Sequence, residues 1–133
     1  MNATKPFYSH ESDSKIMLKK DKLEVRGWTD DLEHVNEEVE YLLQLYDLVP
    51  YGLDLYQQLQ MIRRENQLKL GALYRYEATI RNAAECDTTA CDAYYLHNHE
   101  KNRNLYLDHI KGYRILKTKV FKKILLRTKR GTQ

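Results

Sequence analysis

Trp28, Leu32, Val35, Val39, Leu42, Tyr46 and Val49 recur at four-three spacing. At 3.6 residues per turn, all seven fall on one stripe of a helix, leaving Asp30, Asp31, Glu33, Glu37, Glu38, Glu40 and Asp47 for the other faces. The pattern predicts a first helix opening at Thr29 or Asp30, either of which accepts hydrogen bonds from unpaired N–H groups of the first turn. It stops before Pro50, because the residue preceding a proline disfavours helical geometry. A second pattern runs from Leu53 to about Glu85, with Leu55, Leu59, Ile62, Leu70, Leu73, Ile80 and Ala84 on one face. Residues 86–90 (CDTTA) read as a turn, with Thr88 or Thr89 able to cap a third helix. That helix carries Tyr95, Leu96, His99, Tyr106, Ile110, Tyr113, Val120 and Ile124 inward and ends near Arg127.

Short connections set successive helices antiparallel, so the fold expected is all-α: an antiparallel up-down-up helical bundle with a long hairpin of helices two and three. Residues 1–14 lack periodicity and read as a tail. Residues 15–26 could form a strand-like or helical segment lying over the bundle, ended by Gly27. The division is 1–26 as tail and covering segment, 27–128 as bundle and 129–133 as C-terminal tail. At about 1.5 Å per residue the first helix spans roughly 30 Å against roughly 50 Å for its partners. The distal hairpin around Tyr74, Tyr76, Tyr94 and Tyr95 therefore needs a cover, either the N-terminal segment or a second copy of the chain, and a homodimer built on these tyrosines is one expectation.

Composition fits this picture. Five Gly and two Pro in 133 residues leave too little turn chemistry for an all-β fold. The net charge of +3 hides a split, with nine Lys or Arg and no acid over residues 111–130 and eight acids and no Lys or Arg over residues 28–54. No apolar run approaches the roughly 20 residues of a membrane span, and no signal-type segment opens the chain, so a soluble cytoplasmic protein is expected. Cys86 and Cys91 are too few for a disulfide framework and read as thiols in a reducing compartment, with a disulfide pinning the hairpin as the alternative in an oxidising one.

Polar residues intrude on the apolar stripes at Asn66 and Glu77 of helix two and at His99 and Arg103 of helix three. Counting outward from the turn brings Glu77, His99 and Arg103 to one level, as a buried polar cluster. A metal or proton-transfer site there would use Glu77, His97 or His99, and Glu100. The Glu-x-x-His pairs of di-iron bundles do not occur, however, and no metal or cofactor is expected. Lys111, Arg114, Lys119, Lys122, Lys123 and Arg127 form a basic arc on helix three, able to follow a phosphate backbone, lie on an anionic membrane, or balance the acids of helix one. Eleven tyrosines, mostly at core or core-flank spacing, favour packing. No phosphate-binding glycine loop, nucleophile elbow, His-Glu-x-x-His or dinucleotide fingerprint is present. The expected function is non-catalytic protein–protein interaction or self-association, with nucleic-acid binding through the basic helix as the alternative and a metal-dependent bundle enzyme as the third reading.

Overall fold

The computed structural model describes residues 13–83 and 89–131, and these form three helices: α1 (Asp13–Leu48), α2 (Leu53–Ala83) and α3 (Thr89–Gly131). There is no strand among the described residues. The expected turn with Cys86 and Thr88, the helix-two end at Glu85 and residues 1–12 of the expected tail lie outside them.

α1 corrects the expected start. It is already helical at Asp13, well before Thr29, and runs unbroken through Gly27. Residues 15–26 are thus neither strand nor separate cover, but early turns of the same helix. The stripe extends backwards at the same spacing through Val25, fully buried, and Leu18, packed against the core. A Cβ at Gly27 would meet nothing within 4 Å, so the glycine is not there to admit a neighbour. Its helix penalty, about 1 kcal/mol relative to Ala, is outweighed by burial on either side. At the other terminus α3 continues past Arg127, so residues 129–131 are helix and not tail.

Helix directions are fixed by the cross-contacts. Arg26 meets Glu77, Asn36 meets Asn66 and Glu40 meets Arg63, so α1 and α2 run oppositely. Tyr76 meets His99 and Asn66 meets His109, so α2 and α3 do too. α1 and α3 then run the same way, in a constant register: Glu24 faces His99, Asp31 faces Tyr106 and Glu38 faces Tyr113, each pair 75 residues apart. The backbones of α1 and α3 lie further from each other than either does from α2. Tyrosine on α3 and carboxylate on α1 are long enough to span that gap.

The core comprises Val25, Trp28, Leu32, Val35, Val39, Leu42 and Leu43 of α1, Leu55, Leu59, Leu70, Leu73, Tyr76 and Ile80 of α2, and Tyr106, Ile110, Tyr113, Leu116 and Val120 of α3. Trp28 fills the space between α1 and α3, stacked on Tyr106 with ring centroids 5.6 Å apart and tilted against His99 at 5.3 Å. At the other end Tyr51, buried beneath the end of α1, donates its hydroxyl to the Leu42 carbonyl at 2.8 Å. Gly52 comes next with φ at +117°, which reverses the chain into α2 and which side-chain-bearing residues rarely adopt.

Candidate functional site

Three polar features stand out from the apolar body. The first lies where α1 crosses the distal half of the α2–α3 hairpin. His99 is buried; its Nε2 is 2.7 Å from Glu24 Oε1 and 3.4 Å from Asp21 Oδ1, and its Nδ1 is 2.6 Å from the Tyr76 hydroxyl. Arg103 donates to both Glu24 oxygens, Nε at 3.0 Å and Nη2 at 2.9 Å, and Tyr95 donates to Asp21 at 2.7 Å. The Arg103 fork holds the Glu24 carboxyl down to about 2 against the pull of burial, with His99 helping. Burial, reinforced by Asp21, pushes the Tyr95 hydroxyl well up, and burial raises Tyr76 to about 12.

The expected meeting of His99 and Arg103 is present, but the carboxylate is a different one. Glu77 pairs with Arg26 at 3.9 Å. Counting about the hairpin turn compares only α2 with α3, whereas the acids facing His99 arrive from α1. Asp21, Glu24 and His99 each offer a ligand atom, all within 4.8 Å of one another, the one such group among the described residues. Its donor set is already spent, since Arg103 occupies both Glu24 oxygens and both His99 ring nitrogens have hydrogen-bond partners. The arrangement fits an ion-pair network better than a metal centre. No buried side-chain nitrogen or oxygen among the described residues lacks a partner.

The four tyrosines expected at the distal surface divide. Tyr76 is buried and Tyr95 half-buried under α1, while Tyr74 and Tyr94 are exposed, with the Tyr74 hydroxyl donating to Glu33. The N-terminal segment, as part of α1, covers Tyr76 and Tyr95 and leaves Tyr74 and Tyr94 exposed, so it fills the gap in part. Cys91 is disulfide-bonded, which corrects the expectation of two thiols; spacing alone cannot reveal whether two cysteines meet. The chain's other cysteine lies outside the described residues.

The second feature is a polar layer across mid-bundle. Asn66, fully buried, donates through Nδ2 to the Leu32 carbonyl at 2.8 Å and to Asn36 Oδ1 at 2.6 Å. Its Oδ1 lies 2.8 Å from His109 Nε2 and is matched by an imidazole N–H there. Burial pushes His109 down to about 4, with Lys69 adding to the effect and Glu65 opposing it. Sequence reasoning missed His109, although counting from the turn places Asn66 opposite residue 110, one position away.

The third feature is the second half of α3. Lys117 bridges to Glu38 at 3.0 Å. Among the described residues Lys111, Arg114, Lys119, Lys122, Lys123, Arg127 and Arg130 take part in no ion pair, and all seven are exposed. The acids of α1 are mostly engaged within the chain. Asp31 accepts from Tyr106, Glu33 from Tyr74, Glu38 from Tyr113 and Lys117, and Glu40 from Arg63. Direct pairing between the α1 acids and the second half of α3 is limited, among the described residues, to Glu38 and Lys117; tyrosine hydroxyls reach Asp31, Glu33 and Glu38 without neutralising them. Large apolar side chains are exposed among these cations, namely Ile115, Phe121, Leu125 and Leu126, and Leu48 and Leu53 are exposed at the two ends of the α1–α2 turn. A groove of about 460 Å³ between the α2 start and α3 is lined by Tyr51, Leu53, Leu55, Leu126 and three lysines, Lys119, Lys122 and Lys123.

Comparison with protein-family models, with curated proteins and with solved structures gave no match to this chain.

Proposed function

We propose that this chain is a non-catalytic interaction protein that docks an acidic partner through the cationic second half of α3. One observation carries the reading: among the described residues, seven exposed Lys and Arg residues between Lys111 and Arg130 take part in no ion pair, while most acids of α1 accept hydrogen bonds or ion pairs elsewhere in the chain. A cationic field of this kind raises the local concentration of anionic partners and speeds their capture. The tip network reads as structural, because its carboxylates, imidazole and guanidinium are engaged with one another. Self-association by opposite charges draws limited support, since most α1 acids already accept hydrogen bonds within the chain, and pairing at the distal tyrosines keeps only Tyr74 and Tyr94 as exposed candidates.

Retention on heparin-agarose, a generic polyanion, tests this reading. The intact chain is expected to bind at low salt and elute as salt rises, and K119Q/K122Q/K123Q/R127Q to flow through with unchanged helicity. Absence of retention of the wild-type chain at low salt would overturn it.

Nucleic acid is the second reading, favoured by the run of cations along roughly 30 Å of one helix. It requires that log affinity for duplex or single strands fall linearly with log salt, by about 0.9 per phosphate neutralised on duplex. Failure of both probes to bind at low salt removes it.

A further inference from the structure

The cations of α3 are interleaved with large apolar side chains, and this mixture narrows the chemistry of the surface they meet. Ile115, Phe121, Leu125 and Leu126 are all more than two-fifths exposed, with Leu125 at 61% and Leu126 at 52%. Leu48 and Leu53, at 79% and 59%, flank the turn at the same end of the bundle, where Leu53 and Leu126 share the groove with Lys119, Lys122 and Lys123. A phosphate backbone or a carboxylate-rich protein surface rewards the lysines but leaves this apolar area in water. An anionic lipid surface rewards both, since headgroups attract the ammonium groups while Phe and Leu side chains enter the acyl boundary and lysine stems lie along it. No described helix is long and apolar enough to cross a bilayer, which restricts contact to the interface.

We infer that the end of the bundle formed by the second half of α3 and the α1–α2 turn seats on an anionic lipid surface, with Phe121, Leu125, Leu126 and Leu53 entering the interface and Lys119, Lys122, Lys123 and Arg127 meeting the headgroups. This rests on the reading that α3 is the working surface and names its partner. The contact is reversible and needs both terms, because a few partly inserted side chains anchor weakly without charge.

Co-sedimentation of the full chain with phosphatidylcholine vesicles, with and without added phosphatidylglycerol, decides the matter when run beside heparin-agarose and a nucleic-acid probe. Expected is binding to the anionic vesicles only. L125N/L126N, both at exposed positions, should lose roughly tenfold or more of that binding while keeping its heparin retention and its circular dichroism. K119Q/K122Q/K123Q/R127Q should lose both. Wild-type retention on heparin without vesicle binding overturns the lipid assignment and leaves the α3 docking reading standing; if nucleic acid binds in that case, it takes the place of lipid. Vesicle binding undiminished in L125N/L126N also overturns it. Failure to bind either heparin or vesicles overturns both.

Discussion

Replacing His109 by Gln should remove a defined part of the protein's acid sensitivity. His109 sits buried against Asn66, with Lys69 and Glu65 the charged groups that bias it, and burial holds it down to about 4 against an ordinary 6.5. Between those values the unfolded chain binds the proton and the folded chain does not, so stability falls as pH falls through this window and is unaffected by His109 above it. Integrating from about pH 7.5 to about pH 5, clear of most carboxylate titration, gives a loss of about 2 kcal/mol from this one residue. Gln keeps an N–H donor for Asn66 Oδ1 and cannot titrate. Urea unfolding of wild type and H109Q at both pH values should therefore show the wild type losing about 2 kcal/mol more than the variant. Parallel losses in the two proteins would refute the assignment of a buried neutral imidazole at this layer.

α1 carries two further expectations. If it is one helix through Gly27, where a Cβ meets nothing within 4 Å, G27A should raise unfolding free energy by about 0.5–1 kcal/mol in urea titration; a loss would indicate a break there. Glu24 is held down to about 2 chiefly by Arg103, so its contribution is present above its ordinary 4.5 and is lost as pH falls toward 2. R103Q should be less stable at neutral pH and show a shallower acid loss across that window by circular dichroism, and an unchanged acid profile would count against the Arg103–Glu24 fork.

The parts of the fold legible from sequence are those that apolar spacing encodes locally. The stripe from Trp28 to Leu42 is buried as expected, and α2 starts at Leu53 as its pattern requires. The N-terminal third of α1 was hidden because its core-side positions carry Asp21 and Glu24, polar residues that interrupt the stripe, and because Gly27 carries an intrinsic helix penalty. Both acids belong there only because Tyr95, His99 and Arg103 supply donors from about 75 residues away. Such pairing depends on the register between α1 and α3, and periodicity within one helix carries no information about that register. The same blindness sets Glu77 opposite His99 when positions are counted about the hairpin turn. It also hides the ladder that hydroxyls of Tyr95, Tyr106 and Tyr113 form onto α1 carboxylates, which spacing presents only as packing and interface positions. The basic arc was visible in composition; its scarcity of direct ion pairs was not, since that depends on where the α1 acids turn.

Where the molecule makes its contact is best settled by chemical-shift mapping of the full chain titrated with a soluble heparin oligosaccharide at low salt. Perturbations gathered between Lys111 and Arg130, sparing residues around Tyr74 and Tyr94, are the predicted result. Perturbations centred on the distal tyrosines, or none at all, would contradict α3 as the docking surface.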